Sequence, residues 1–591
     1  MNIFLQKYGK AGLLFFFGIA FLLFWMIGYP SLLAYREQFQ LFMFGSDYWW
    51  ERVAVPGGVA DYIGEFLTQF YYVPWIGACM LTFLFLSLQC LLWRLLKFWE
   101  VSDFYIPLTF LPVIVLWRYY TDENVMLSLV VALLMVLAVA ILYSMCSNRW
   151  YRMAYVVMFL PFLYWVAGPV HFIFAGWIVL NTFRKGVRKE DIWSRLGVMC
   201  GIVLLAVACP LLACVELQYP LSCLVWGLNY HRLFTLTPWM GIVLAILLVL
   251  LPCILSVLPL PRKNRILYGG IQFLIVLAGG YMWVLAGYDV SKEDALEYDY
   301  LVRHEDWQSI IEKAEHKMPQ SSFSMTYLNL ALGMTGQLGD RMFEFRQRGM
   351  EGLIPQFRSD PATPMRAGEV FYRLGMINTA QRFAFEAMEA NLNYRKSARC
   401  VKRLAETNLI NGQYEVAAKY LRMLRRTVFY KEWAEYTMTY LHDEDKINAH
   451  PEWGWLRRAR YTEDFLFSDQ EMDMMLGLLF QHNYNNRLAF EYLMAYVMLR
   501  RDMDKFMAYY PIGRHAKYDH IPRHYQEALV YVWTQQHQDF KGMPWSISPE
   551  VKKGMADFAR AYMSSRPGMR QSLKMRYGNT YWSYLLLDGE Q

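Results

Sequence analysis

The first 287 residues of this chain contain very little charge. They hold 18 lysines and arginines and 12 acidic residues, whereas the rest of the chain holds 40 and 39. Two parts that differ this much in composition predict at least two domains, a membrane domain followed by a soluble one. Almost all of the net charge of +7 lies in the first part, where basic residues orient membrane loops. This distribution excludes a nucleic-acid-binding patch.

Cysteine is scarce in the second part, where Cys400 is the only one. An internal disulfide is therefore excluded there, and no paired CxxC spacing of a zinc site occurs in the sequence. The GxxxxGK[ST] phosphate loop, the HExxH metalloprotease motif and the GxSxG nucleophile motif are also absent. These absences exclude P-loop NTPases and the two hydrolase classes that the motifs define.

Long uncharged runs fill the first part of the chain. The run 11–35 is too long for the apolar core of a cleaved signal peptide, so it predicts an uncleaved membrane span. The run 153–183 contains Gly168-Pro169 at its middle, where a turn between two spans would lie. We therefore predict nine spanning helices, two of them in 153–183. The other seven lie in the uncharged runs 11–35, 66–93, 104–117, 124–148, 196–215, 233–261 and 266–288.

Basic residues orient these spans. With nine spans, 14 lysines and arginines share the side of Lys7 and Lys10. The opposite side has four, namely Arg36, Arg52, Arg118 and Arg232. Because basic residues accumulate on the cytoplasmic side, we predict a cytoplasmic N-terminus and an extracytoplasmic C-terminal domain. The expected location is a bacterial inner membrane, with the C-terminal domain in the periplasm.

The first outer loop, 36–74, is the most polar part of the membrane domain. Its four central carboxylates are Asp47, Glu51, Asp61 and Glu65. They form two pairs with a spacing of four, so each pair shares one face of a helix. The Pro-Gly-Gly stretch at 56–58 predicts a break between two short helices. Ordinary surface acids on a juxtamembrane helix are the alternative interpretation.

These loops suggest one chemistry. Enzymes that transfer a sugar from a lipid phosphate need a carboxylate that activates the acceptor or holds a divalent cation, and cations that bind the departing phosphate. Asp47 is the expected base or metal ligand, supported by Glu51 or Asp122, and Asp61 is a further catalytic candidate. The expected substrate-binding residues of the outer loops are Arg118, Asp122, His231 and Arg232, since arginine binds phosphate bidentately. The cofactor is left open, with a divalent cation as one possibility.

The tail, 289–591, has the pattern of short helices separated by Gly, Asn or Pro, and the whole chain is predicted to be all-α. Val401–Thr427 has Leu404, Gly412, Tyr414 and Ala417 at the positions typical of a tetratricopeptide repeat. Similar turns recur at Gly336 and Gly375. The predicted domains are a transmembrane domain at 1–288, TPR-like repeats at 289–430 and an irregular helical continuation at 431–591.

Two stretches carry a family resemblance. GSDYWWERVAVPGGVADYIGEFLTQFYYVPWIG and KSARCVKRLAETNLINGQYEVAAKYL resemble an uncharacterised bacterial family of multi-pass membrane proteins, which pair an apolar half with a helical-repeat half. The layout also resembles the GT-C glycosyltransferases, in which the catalytic acid typically lies in the first outer loop. That resemblance implies a catalytic role for Asp47 or its neighbours. The Asp-Glu or Asp-Asp dipeptide often found in that loop is absent, because Tyr48 follows Asp47.

Two functions are expected from these patterns. The first is a membrane glycosyltransferase that uses a polyprenyl-phosphate-linked sugar, with the repeats binding a protein or glycan acceptor. The second is a non-enzymatic envelope scaffold whose repeats bind partner proteins. A transporter ranks last, because the spans contain almost no charged residues. The first two hypotheses differ in whether the outer-loop carboxylates converge on a cavity at the membrane. Membrane lipids are expected partners in both.

Overall fold

A computed structural model gives the fold of the chain. It describes residues 3–184, 192–233, 238–260, 265–391 except 357, 359 and 361, 395–463, 468, 470–537, 539–564 and 570–587. The described part is all-helical, with 77% of residues in helices and no β-strand, which confirms the predicted all-α class. Contacts divide the chain into two compact units. Unit 1 comprises Met1–Asp289, Leu392–Ala398 and Arg425–Lys431, and unit 2 comprises Val290–Asn391, Arg399–Leu424 and Glu432–Gln591.

Unit 1 is built from apolar helices and short connecting helices. Those in its described ranges are α1 (Ile3–Leu23), α2 (Pro30–Gln38), α3 (Ser46–Val53), α4 (Gly58–Thr68), α5 (Pro74–Phe98), α6 (Leu111–Tyr119), α7 (Leu127–Met145), α8 (Arg149–Ala167), α9 (His171–Arg184), α10 (Ile192–Leu217), α11 (Leu221–Trp226), α12 (Trp239–Val257), α13 (Arg265–Leu274) and α14 (Gly280–Leu285). The two segments contributed by the tail, Leu392–Ala398 and Arg425–Lys431, are called the tail segments below.

Within the described residues, six helical stretches are long and apolar enough to cross a membrane, so the protein is a membrane protein. They are Lys10–Gly28, Pro74–Phe98, Leu127–Met145, Ile192–Leu217, Trp239–Val257 and Leu267–Leu285. Two apolar helices, Pro107–Tyr119 and His171–Phe183, are shorter. Nine spans stay a prediction. Five basic residues counted for their orientation, namely Lys185, Arg188, Lys189, Arg262 and Lys263, lie outside the described residues.

Aromatic side chains pack the first helices of unit 1 together. The ring of Phe21 on α1 lies 4.4 Å from Phe85 on α5 and 4.9 Å from Trp117 on α6, measured between centroids. All three side chains are buried. Close aromatic pairs of this kind add to the energy of apolar burial, and they hold α1 against α5 and α6. Of these helices, α1 precedes the outer loop and α5 follows it.

Unit 2 is a set of shorter helices. Those in its described ranges are α15 (Val290–Arg303), α16 (Trp307–His316), α17 (Ser322–Met334), α18 (Leu338–Arg341), α19 (Thr363–Leu374), α20 (Ile377–Glu389), α21 (Ala398–Ile410), α22 (Tyr414–Arg425), α23 (Lys431–Met438), α24 (Glu444–Ala449), α25 (Pro451–Ala459), α26 (Met472–His482), α27 (Arg487–Leu499), α28 (Met503–Tyr509), α29 (Arg523–Gln536), α30 (Pro549–Ser564), α31 (Arg570–Tyr577) and α32 (Tyr581–Leu587).

Glycines form the turns between several of these helices. Gly375 joins α19 to α20 with φ of +87°, and Gly412 lies between α21 and α22 with φ of +77°, a region that side chains other than glycine rarely adopt. At Gly336 the following helix is only four residues long. One hydrophobic core in unit 2 joins residues from Tyr298 to Leu587. It contains residues on both sides of position 430, where the sequence suggests a domain boundary.

Candidate functional site

The outer loop folds into two short helices because of its glycines. Gly57 has φ of +82° and donates its N–H to the carbonyl of Trp165 at 2.8 Å. A side chain at Gly58 would place a Cβ 1.9 Å from the carbonyl oxygen of Arg52. The chain therefore turns tightly between α3 and α4, and this turn brings Arg52, near the end of α3, close to the face of α4.

A third glycine sets the depth of α4 in unit 1. A Cβ at Gly64 would lie 2.7 Å from the backbone nitrogen of Ser128 at the start of α7. The two backbones can approach only because Gly64 lacks a side chain. As a result the Ser128 hydroxyl donates to Asp61 at 2.7 Å. Both Asp61 and Glu65 are only 1% exposed.

Two buried carboxylates and two arginines form a cluster at this position, which we call the acid–arginine cluster. Asp61 accepts a hydrogen bond from Arg395 Nη2 at 2.8 Å, and Arg395 Nε lies 3.7 Å from Glu65. Glu65 also accepts from Arg52 Nε at 3.0 Å and from the hydroxyl of Tyr48. The two carboxylates and the two guanidinium groups give the cluster a formal net charge of zero. Arg395 belongs to the first tail segment, so this cluster ties the tail sequence into unit 1.

The energetics of this cluster depend on every member being present. Burial raises the pKa of the Glu65 carboxyl, while Arg52 and Arg395 oppose that rise. Each charge is costly to desolvate alone, and removing one partner from a buried ion pair typically costs about 3–5 kcal/mol. The cluster can therefore hold the tail segment firmly. Its carboxylates already accept hydrogen bonds from protein donors, which suits a structural role.

Asp47 forms a second link to the tail. Its carboxylate accepts from Arg426 Nη1 at 2.9 Å, and Arg426 Nε donates to the carbonyl of Phe44 at 2.6 Å. The backbone N–H of Phe44 donates in return to the carbonyl of Arg426 at 2.8 Å. The hydrogen bond from Arg426 lowers the pKa of Asp47, which is exposed at the start of α3. The second tail segment is therefore held by backbone and side-chain contacts together.

The remaining catalytic candidate, Glu51, lies outside both links. Its side chain is 47% exposed and its Oε1 is 4.0 Å from Arg52 Nη1. The three catalytic candidates therefore occupy three different environments. Asp61 is buried in the cluster, Asp47 is bound to a tail arginine at the surface, and Glu51 faces outward.

The four substrate-binding candidates lie on or directly beside two loops that pair with each other. The loops meet in an isolated antiparallel bridge between Val125 and His231. The backbone N–H of Arg232 donates to the carbonyl of Asn124 at 2.7 Å. Arg118 lies in the last turn of α6 and Asp122 in the loop that follows it, whereas His231 and Arg232 belong to the second loop. The pairing brings them into one neighbourhood of unit 1.

Their side chains make different contacts within that neighbourhood. Arg118 Nη1 donates to Thr121 at 3.1 Å, and the Asp122 carboxylate accepts from its near neighbour Asn124. The guanidinium of Arg232 stacks over the Phe39 ring at 3.9 Å. His231 contacts the Tyr119 hydroxyl, and burial lowers the pKa of His231 to about 4. At neutral pH this histidine is therefore an uncharged hydrogen-bonding group.

An apolar cavity of about 230 Å³ adjoins these loops. Tyr119, Tyr230 and His231 supply its polar groups, and side chains of α7, α9 and α12 form most of its apolar wall. Its lining includes neither Asp47, Glu51 nor Asp61. Across the ranges that the structure describes, no group of three His, Cys, Asp or Glu side chains is arranged to hold a metal ion.

Several residues of the site were missed by sequence reasoning. Arg395 and Arg426 come from the tail, and Asn229 accepts from Arg395 Nη2 at 3.2 Å. The sequence offers one signal for these arginines: each tail segment interrupts the helical pattern and contains a basic residue. That signal identifies an irregular segment and contains no information about its partner.

Comparisons with known proteins identify a family. The profile of a protein family described as "Family of unknown function (DUF6057)" matches residues 6–588. No curated protein and no solved structure matches the chain. The match covers nearly the whole sequence and spans residues of both units.

Proposed function

Since the chain belongs to the DUF6057 family, whose function is unknown, we propose from its own geometry that it is a membrane-anchored envelope scaffold. In this proposal nine spans anchor the protein in a bacterial inner membrane, with the N-terminus inside. The TPR-like tail lies outside the cytoplasm and binds partner proteins. The distribution of basic residues, 14 against four, supports this orientation. The glycine turns at Gly375 and Gly412 support the repeat-like hairpins.

One observation carries the proposal. Three of the four central carboxylates of the outer loop bind arginines of the tail segments: Asp61 and Glu65 face Arg395, and Asp47 binds Arg426. A general base must lie within hydrogen-bond reach of a substrate proton. Acids already committed to internal ion pairs are better suited to holding the chain in place. The outer loop then serves as the attachment point of the tail.

A groove in unit 2 is the proposed partner surface. It has a volume of about 730 Å³, and its lining includes Tyr510, Tyr518, Tyr525, Arg514, Lys517, His520 and Asp519. Tyr510 and Tyr518 are partly exposed, and such rings supply rigid contact area at low entropic cost, whereas Tyr525 is buried. The two permanent cations, Arg514 and Lys517, outnumber the one acid in this set, so the groove favours an acidic segment of a partner protein.

The test uses the full-length chain in a bacterium that encodes it. Cross-linking should recover a defined partner with the native chain and lose it with the double substitution Arg514→Glu, Lys517→Glu. The matched control, Lys541→Glu, changes an exposed lysine outside the groove and should retain the partner. Equal recovery from the groove variant and the control would reject this surface. Failure to find any protein whose recovery depends on the groove would reject the scaffold.

The second candidate is the glycosyltransferase, and the apolar cavity favours it. One end of a polyprenyl chain would occupy this cavity, with its phosphate near Arg118 at the end of α6 and Arg232 on the second loop. Glu51 is then the carboxylate available for catalysis, because it lies outside the two tail links. The deciding measurement is the profile of lipid-linked glycans in a deletion strain. Accumulation of one such glycan, corrected by the native chain but not by Glu51→Gln, would favour the enzyme over the scaffold.

A further inference from the structure

A second groove lies in unit 1, at one end of α8, α9 and α10. It has a volume of about 780 Å³, and its rim carries Arg149 and Arg152 of α8 and Arg195 of α10. The other lining residues are uncharged, and the apolar ones come mainly from α8 and α10. This set contains no acidic residue. We call it the arginine groove.

The three arginines are positioned by local hydrogen bonds. Arg152 Nε donates to the carbonyl of Cys146 at 2.5 Å, and Arg195 Nη1 donates to the carbonyl of Thr182 at 3.0 Å. Arg149 Nη2 lies 3.5 Å from the hydroxyl of Ser194. A guanidinium has five N–H donors in a fixed plane, and it binds phosphate oxygens in a bidentate manner. Three positive charges on one rim form a strongly anion-selective end.

The other end of the groove is apolar and roomy. A Cβ added at Gly197 or Gly201, one turn apart on α10, would meet no atom within 4 Å. Val156 is buried at the base, whereas Val157 is 64% exposed at the edge. The groove therefore has open space between helices and an apolar wall that reaches the surface of unit 1. This combination of a cationic rim and an apolar trough matches an amphiphile with an anionic head.

We propose that the arginine groove binds one anionic phospholipid of the surrounding bilayer. Its phosphate contacts Arg149, Arg152 and Arg195, and an acyl chain lies along the trough at Gly197 and Gly201. Basic pockets between membrane helices are known to bind anionic lipid head groups, and each basic residue near such a phosphate contributes a measurable attraction. Charge complementarity selects this occupant over a zwitterionic lipid. The proposal does not depend on whether the tail is a scaffold or part of an enzyme.

The first experiment measures lipid binding to the full-length protein in neutral detergent by native mass spectrometry. Phosphatidylglycerol should remain bound, and phosphatidylcholine with the same acyl chains should not. The variant Arg149→Gln should bind about fivefold more weakly, and the double variant Arg149→Gln, Arg152→Gln about 25-fold more weakly. Arg94→Gln, at an exposed arginine outside the groove lining, is the control and should bind as tightly as the native chain.

A second variant tests the apolar end without changing charge. Gly201→Leu fills open space, so the lipid-free melting temperature should stay unchanged while phosphatidylglycerol is lost. Equal binding of the two lipids, or full binding by both the double arginine variant and Gly201→Leu, would overturn the proposal. It would also be overturned if inorganic phosphate displaced the lipid at equal concentration, or if the groove were covered by a second copy of the chain in solution.

Discussion

Both units contain buried carboxylates held by arginines, but the partners come from very different distances along the chain. In unit 2, Glu369 accepts from Arg373 at 3.1 Å and from Arg403 at 2.8 Å, with at most 34 positions between partners. In unit 1, Asp61 accepts from Arg395 across 334 positions. The first arrangement stabilises neighbouring helices. The second arrangement closes a very long loop and fixes a tail segment within unit 1. The entropic cost of closing a loop grows only slowly with its length.

The two clusters also differ in charge balance. Burial opposes the ionisation of Glu369, but three arginines outweigh it and lower its pKa to about 2. In unit 1, Glu65 shares two arginines with Asp61, and burial prevails, so that its pKa is raised. An excess of cations favours the charged carboxylate, whereas an even balance leaves the desolvation cost dominant. Similar residues therefore have different electrostatic roles in the two units.

The largest expected effect is the loss of Arg395. The substitution Arg395→Leu leaves Asp61 and Glu65 buried with one arginine between them, so we expect a loss of about 3–5 kcal/mol in the free energy of unfolding. Denaturant unfolding of the full-length chain in detergent measures it. The neighbouring Lys396→Leu serves as the control and should have a much smaller effect. Combining Arg395→Leu with Asp61→Asn should recover part of the loss, since the two positions are coupled. Strict additivity would argue against the cluster.

A comparable effect is expected from Glu369 in unit 2, with a characteristic pH dependence. Its pKa of about 2 lies below the usual value of 4.5, so its ion pairs stabilise the folded state fully above pH 4.5. Glu369→Gln should therefore lower the free energy of unfolding by about 3 kcal/mol at pH 7. The difference from the native chain should shrink as the pH falls from 4.5 towards 2. A difference that is constant with pH would show that Glu369 is not ionised in the fold.

Glu491 should show the opposite pH dependence within the same unit. It is fully buried, with Arg487 Nε at 2.7 Å as its partner, and burial raises its pKa to about 7. The folded state therefore binds a proton more tightly than the unfolded state. Stability contributed by this proton is present below pH 4.5 and is lost as the pH rises through 7. Between pH 5 and 8 the native chain should lose about 2–3 kcal/mol relative to Glu491→Gln. A flat difference over that range would contradict the prediction.

The local features of the fold were predictable from sequence because their causes are local. The Pro-Gly-Gly break at 56–58 and the turns at Gly375 and Gly412 follow from backbone sterics within a few residues. The spacing of Asp61 and Glu65 likewise placed them on one face of a helix. The apolar helices followed from long uncharged runs. In the described part of the chain six of them meet the length and composition of a span, and the nine spans stay a prediction.

The partners of the outer-loop acids were not predictable. Arg395 and Arg426 lie 334 and 379 positions from Asp61 and Asp47, and neither belongs to a motif. A single sequence contains no information about such distant pairs, because any exposed basic residue satisfies the same charge requirement. The sequence therefore located the candidate site in the outer loop. Whether its carboxylates are available for catalysis or hold the tail in place could be judged only from the contacts in the structure.

The smallest expected effect concerns Asp47, and the Asp47 and Glu51 variants together separate the two proposed functions. Its pair with Arg426 is exposed, and exposed ion pairs contribute little to stability. Asp47→Asn keeps one oxygen that can accept from Arg426, and the backbone bond between Phe44 and Arg426 is unaffected. The scaffold proposal therefore expects normal insertion and full complementation of a deletion strain, with Glu51→Gln as the parallel variant. A catalytic base at Asp47 would instead lose about 10²–10⁴-fold in rate. An Asp47→Asn protein that is inserted, folded and inactive would therefore favour a catalytic role of the outer loop over a role in attaching the tail.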